Sequence, residues 1–236
     1  KTLFPYTTLF RSIPIAQVKA VGASQFAYIE EYRRQRATLP KTYSFQYLYV
    51  GCAIGAADLV PDEIAVVTSI AKVAASIRPD LKVVVRPYPV QGNWELYHPL
   101  RALPNVVMDD GFKTLDLSVK DGHILEKFEK ITQAEAFFHL GTTMGLEACF
   151  TQTPSFILDY GYTSREGLSL YSFIHQYQND RHLINLAPQN AIKSEAHLAE
   201  ILQNLEASLY QQLNQKVQSQ YQIKSFSAFA KDLVDN

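Results

Sequence analysis

The stretch AEAFFHLGTTMGLEACFTQTPSFILDYG, residues 134–161, holds the densest group of side chains able to do chemistry. An apolar run ends at Leu140, Gly141 permits a tight turn, Thr142 and Thr143 stand where a helix opens, and Glu147 follows one turn later. Unpaired backbone N–H groups at such an opening carry partial positive charge and suit a phosphate or pyrophosphate. The two threonine hydroxyls add donors at the same mouth. An ionised carboxylate only accepts hydrogen bonds, so Glu147 suits sugar hydroxyls rather than phosphate. Together these residues describe a pocket for a nucleoside diphosphate group. The competing reading is structural, with Thr142 as an N-cap and Glu147 as a first-turn acid held by the helix dipole. His139 ends the preceding apolar run and faces either a crevice or the core; a lone histidine in such a place is more often a hydrogen-bonded structural group.

A second stretch, VVVRPYP, puts Arg86 at the end of another apolar run, followed by Pro87, Tyr88 and Pro89. Arg86 can meet an anion there or pair on the surface. In GCAIGAAD, Gly51 and Gly55 allow a close backbone approach to a ligand, but no Lys-Ser/Thr pair follows, so this is not a P-loop. Asp58 suits a turn cap. His98, His123, His175, His182 and His197 show no metal-ligand spacing, and no metal is expected. Trp94 and Tyr97 suit a short helix packed on a sheet, and Cys149 a small core residue.

The elements that must position these residues alternate between two periods. SQFAYIEEYRRQRATLP reads as a helix from Ser24 and SFQYLYVG as a strand. PDEIAVVTSIAKVAASIRPD carries Pro61 and acids at a helix start and an apolar stripe through Ile64, Val67, Ile70, Ala71 and Ala74. LKVVVRP is a nearly continuous apolar run, as expected of a strand covered on both faces. The rhythm continues with strands at PNVVMDD, AFFHL and PSFILDYG, helices at DGHILEKFEKITQAE and TTMGLEACFTQT, and a last strand at HLINL. AQVKAVGA reads as an early strand, while SEAHLAEILQNLEASLYQQLNQ and IKSFSAFAKDLVDN read as closing helices. Strands separated by helices predict an α/β fold with a doubly wound, mostly parallel Rossmann-like sheet and terminal helices.

Composition sets the outer bounds. Hydrophobic residues at 47% and charged residues at 19% are ordinary for a globular chain. A formal net charge of -1 supplies no global field for nucleic acid or an anionic membrane, so an anion must be held locally. Cys52 and Cys149 are too few for a disulfide framework, and the expected compartment is the reducing cytoplasm. Thr2 to Ser12 reproduce TLFPYTTLFRS, the translation of a sequencing adapter, so residues 1–12 are expected to be an artefact tail, with the natural chain continuing upstream. The expected division is residues 13–42 as the end of an amino-terminal domain or linker, 43–190 as a nucleotide-sugar-binding Rossmann-like domain, and 191–236 as closing helices.

In chain order, the VVVRPYP strand, a short NV-type strand, a helix, AFFHL, GTTMGLEA and the TPSFIL strand resemble the carboxy-terminal half of GT-B-type glycosyltransferases. The nearest resemblance is to the bacterial surface-polysaccharide group, including CDP-glycerol glycerophosphotransferases and capsular polysaccharide transferases. UDP-N-acetylglucosamine 2-epimerases are a more distant one. The resemblance covers roughly residues 15–186 and rests on two specific motifs, 83–89 and 141–148. It implies that Gly141, Thr142 and Thr143 approach the phosphates of a UDP, CDP or CMP type donor, that Glu147 meets the ribose, and that Ser164, Arg165 and Glu166 line the sugar side, while Gly51 stays a binding candidate from its own loop. Arg86, Tyr88 and His139 become the catalytic candidates, with Arg86 and the 141–143 turn stabilising charge on the leaving group. No cofactor is implied beyond the nucleotide-sugar donor itself. A glycan or lipid-linked acceptor would reach the site through an amino-terminal half, with peripheral membrane association, and the fragment alone would be inactive. One departure stands out: relatives commonly read RPHP where this chain has Tyr88, and a phenol with an ordinary pKa near 10 cannot replace an imidazole that titrates near neutrality. A sugar-nucleotide epimerase and a non-catalytic Rossmann-like binding module are the alternatives.

Overall fold

The computed structural model of the chain describes residues 24–89, 91–111, 121–162, 169–176, 178–221 and 223–234. Six strands form one sheet: β1 (Tyr47–Gly51), β2 (Lys82–Arg86), β3 (Val106–Met108), β4 (Ala136–His139), β5 (Ser155–Leu158) and β6 (Ala191–Ile192). Their order is β3-β2-β1-β4-β5-β6 and every neighbouring pair is parallel. The expected doubly wound α/β sheet is therefore the one that forms. The described helices are α1 (Ala27–Gln35), α2 (Val60–Ile77), α3 (Asp121–Gln133), α4 (Met144–Phe150), α5 (Leu170–His175), α6 (Gln178–Leu186), α7 (Glu195–Gln203), α8 (Ser208–Gln220) and α9 (Phe226–Val234).

The strands are apolar on both sides because both faces are covered. Leu48, Val50, Val83, Val85, Ala136 and Phe138 fill one layer, while Tyr47, Tyr49, Val84 and Phe137 fill the other. This is the two-residue alternation of a strand, with the buried tyrosine hydroxyls satisfied: Tyr47 donates to the Lys130 carbonyl at 2.7 Å. α2 starts with Pro61 and two acids in its first turn, and turns Val60, Val66, Val67, Ile70, Ala71 and Ala74 inward. α7 is capped by Ser194, whose hydroxyl accepts the His197 N–H at 3.1 Å. α1 lies on the same body. Its Tyr32 donates to Glu129 on α3 at 2.6 Å, and Arg33 donates to the Phe150 carbonyl at 3.1 Å.

Two expectations are corrected. HLINL is not a strand: it lies in α6, where Asp180 and Leu183 are buried three residues apart, with Ala187 buried four residues on, just past the helix end. The sixth strand is instead Ala191–Ile192, reached through the short 3-10 turn Pro188–Asn190. The helix expected from residue 194 onward is also two helices. α7 ends where the Asn204 side chain folds back to donate to the Glu200 carbonyl at 2.9 Å, and α8 begins at Ser208. The strand expected at AQVKAVGA lies outside the described residues. Among the described residues no helix is long and apolar enough to cross a membrane.

Candidate functional site

The strand order reverses between β1 and β4, and at such a switch point the loops leaving the strands diverge to form a crevice at the carboxyl edge. Register places Gly51 of β1 opposite both Arg86 of β2 and His139 of β4. Three residues picked from separate parts of the sequence thus stand in one row across the carboxyl ends of the strands.

Arg86 sits over a buried ionic layer. Its Nη1 is 3.0 Å from Asp109 Oδ2, Tyr49 donates to the same oxygen at 2.5 Å, and Lys130 Nζ is 2.6 Å from Asp109 Oδ1. Burial pushes the Asp109 carboxyl up, but Arg86 and then Lys130 pull harder and hold it below its ordinary range. Arg86 and Lys130 share this one buried carboxylate, and Lys130 also meets the half-exposed Glu126 at 2.6 Å. Asp109 and Lys130 were missed by sequence reading, since their pairing spans three elements. Tyr88 lies further along the same loop and is 37% exposed, and its carbonyl accepts the Trp94 indole N–H at 3.2 Å.

The loop after β1 is filled from within. Glu63, in the first turn of α2, accepts the Ala53 N–H at 2.8 Å and the Tyr97 hydroxyl. Burial pushes its carboxyl up to about 7, against the hydrogen bonds from Tyr97 and the loop amides. A loop whose amides already hold an internal carboxyl is not waiting for a phosphate. Gly51 also has an internal reason: a Cβ there would lie 2.6 Å from Phe137 Cζ. The signal for Glu63 was present in the sequence, as a charged residue in the buried stripe of α2.

The turn after β4 is built around His139. Gly141 takes φ +95°, a conformation that favours glycine. His139 is completely buried, and its Nδ1 accepts the N–H groups of Gly141 and Thr142 at 3.3 and 3.4 Å. Burial pushes the imidazole down to about 3, so the ring is neutral near pH 7. It shapes the turn from below and does not line the crevice. Thr142 is half-buried, its hydroxyl accepting the Met144 N–H at 3.4 Å, and Thr143 is exposed. Glu147 is buried and faces Lys127 of α3, whose Nζ lies 2.7 Å from its carboxylate. Ser164, Arg165 and Glu166 lie outside the described residues.

Further along the same edge, Asp159 follows β5 and gathers the His175 Nε2 at 2.7 Å, the Tyr162 hydroxyl and Lys193. Burial raises this carboxyl, and hydrogen bonds from Lys193, Tyr162 and His175 outweigh it, leaving a net lowering. No group of three or more potential metal ligands occurs among the described residues. The arrangement can therefore supply fixed positive charge from Arg86, a glycine turn with hydroxyls at its rim, and a phenol at the lip.

No family model and no curated protein match this chain. Solved structures do. The UDP-GlcNAc 2-epimerase from Neisseria meningitidis, bound to UDP-GlcNAc, superposes with a TM-score of 0.56 at 13% identity, covering 98% of this chain and 59% of that one. A variant of the wall teichoic acid polymerase TagF gives 0.53 at 13% identity, covering 97% of this chain and 54% of that one. A putative UDP-N-acetylglucosamine 2-epimerase from Listeria monocytogenes gives 0.54 at 12% identity, covering 97% and 55%. The chain thus spans little more than half the length of these structures. Identities this low speak to fold alone, and the fold matches a GT-B Rossmann-like domain.

Proposed function

We propose that this chain is the donor-binding half of a transferase that moves a glycosyl or polyol-phosphate group from a nucleotide-activated donor in bacterial surface polysaccharide synthesis. The observation that carries the reading is Arg86 at the carboxyl end of β2 together with the positive-φ turn at Gly141 after β4, on the two sides of β1 where the strand order reverses. Crevices outside the carboxyl ends of parallel strands are where open α/β sheets take ligands. Arg86 brings fixed charge to the donor's phosphates, where charge develops as the nucleotide leaves. Thr142 and Thr143 add hydroxyl donors, and Glu147 meets the pentose once Lys127 turns aside. Tyr88 offers an O–H donor at the lip. On the resemblance to GT-B enzymes, Ser164 and Arg165 are assigned to donor binding. A glycan or lipid-linked acceptor and the general base belong to the other half of the protein, in the cytoplasm at the membrane surface.

Isothermal titration of the chain with UDP, CDP and CMP, and with UDP-GlcNAc and CDP-glycerol, tests the reading. Saturable binding that requires the diphosphate, weakened at least tenfold in Arg86→Ala, is the expected result. Absence of binding to any nucleotide by the folded protein overturns it.

A further inference from the structure

Beneath the turn lie two polar groups that the proposed reaction does not use. Asp180 opens α6 and is almost wholly buried, with Oδ1 3.8 Å from His139 Nδ1. Neither Asp180 Oδ1 nor His139 Nε2 has a hydrogen-bond partner. Buried polar atoms left in this state are uncommon and costly. His139 Nδ1 is already an acceptor for the Gly141 and Thr142 amides, and the Asp180 oxygen 3.8 Å away is a second acceptor beside it. Two acceptors facing one another in a dry interior repel unless a proton lies between them.

We infer that His139 and Asp180 are a proton-sharing positioning pair for the turn: with the proton on Asp180, Nδ1 holds the Gly141 and Thr142 amides, and with it on Nδ1 both amides are released to an anionic ligand. The transfer is internally balanced. The Asp180 O–H bond breaks, the Nδ1–H bond forms, a carboxylate and an imidazolium remain, and no atom enters or leaves. The negative charge of a ligand at the turn stabilises the imidazolium form. Burial raises the Asp180 carboxyl to about 7, against a hydrogen bond from its own backbone, and keeps the His139 ring neutral, as the proton's resting place on Asp180 requires.

The charged groups on the surrounding elements are engaged elsewhere. Glu147 of α4 holds Lys127, Asp159 beyond β5 holds His175 and Lys193, Glu63 of α2 holds Tyr97 and the Ala53 amide, and Arg86 of β2 holds Asp109. On α6 itself, Arg181 is exposed and His182 meets Gln220.

In its ligand half the inference rests on the donor-binding reading, and ring-nitrogen NMR of the histidine-labelled chain separates the two. The His139 signals are assigned among six histidines by their loss in His139→Gln. At pH 6 without ligand, Nε2 should carry the hydrogen and Nδ1 none. Saturating inorganic pyrophosphate should put a hydrogen on Nδ1. Asp180→Asn, which can donate to Nδ1 but has no acid proton to give, should keep Nδ1 bare under pyrophosphate and bind it at least tenfold more weakly. A protonated Nδ1 in the free protein, or an unchanged ring with pyrophosphate bound, overturns the pair. If pyrophosphate does not bind, the donor-binding reading fails and the pair is judged on pH alone. Raising the pH of the free protein from 6 to 8 strips Asp180, and the ring hydrogen must then move from Nε2 to Nδ1. A ring that keeps Nε2–H through pH 8 refutes the inference.

Discussion

Arg86 Nη1 lies 3.0 Å from Asp109 Oδ2, so the cation expected to face a donor is anchored from behind by a carboxylate that is itself 2% exposed. Removing one partner of such a pair is costlier than the pair's net worth, because the remaining charge stays buried. Asp109→Asn strands both Arg86 and Lys130, and the expected loss is about 3–5 kcal/mol in urea unfolding at pH 7. The sign with pH follows from the lowered carboxyl. Its contribution is complete above the unfolded value of 3.8 and is lost as pH falls through the folded value. The gap between wild type and Asp109→Asn should therefore close in acid. A gap that widens below pH 4 would contradict the ionic role.

Glu63 gives the opposite slope. Its folded value of about 7 lies above the unfolded 4.5, so its contribution is complete below 4.5 and fades as pH rises toward and through 7. Glu63→Gln keeps an oxygen for the Ala53 amide and offers the Tyr97 hydroxyl a donor, without a charge to bury. Relative to wild type it should gain about 2–3 kcal/mol between pH 5 and pH 8, because a slope of roughly 1.4 kcal/mol per pH unit acts over about two of those units. Urea midpoints at the two pH values measure this. The buried His139 is common to both proteins and cancels in the difference.

Gly51 and Phe137 should be coupled through space alone. A methyl group at 51 meets the ring at 2.6 Å, and the site is fully buried. Gly51→Ala is expected to cost about 1–3 kcal/mol by overpacking. In Phe137→Leu, where the clashing ring edge is gone, the same substitution should cost less than half as much. Additivity in this double-mutant cycle would rule out the packing explanation and return Gly51 to a ligand-facing role.

Much of the sheet was legible because each strand's signal is local. Tyr47–Gly51, Lys82–Arg86 and Ala136–His139 are short apolar runs bounded by Gly, Pro or polar residues, and burial on both faces leaves no other use for them. HLINL misled because Leu183, Ile184 and Leu186 form an equally apolar run; only their packing in α6 reveals the longer period. The site was half legible. Arg86, Gly51 and His139 were placed at strand ends by the sequence and stand there in register, since strand ends advertise themselves. Asp109, Lys130, Glu63 and Asp180 were not singled out, because what matters about each is a partner from another element. The sequence reading considered both a crevice and a core for His139, and burial decides between them.

Glu147 is the remaining candidate whose environment can be turned into a discriminating measurement. Its carboxylate lies 2.7 Å from Lys127 Nζ and is 4% exposed, so a pentose must displace or join that lysine. If Glu147 recognises the sugar hydroxyls, Glu147→Gln should weaken UDP or CDP about tenfold, since a hydrogen bond to a charged acceptor contributes about 1.5–3 kcal/mol. The same variant should leave inorganic pyrophosphate affinity within about twofold, a difference of about 0.4 kcal/mol. Lys127→Met separates this from simple structural loss: it strands the buried carboxylate and lowers stability, yet it frees the acceptor that a ribose would use. Its nucleotide affinity, measured where the protein remains folded, should be equal to or above that of wild type. Equal weakening of nucleotide and pyrophosphate in Glu147→Gln would instead make the residue a support of the turn and remove it from pentose recognition.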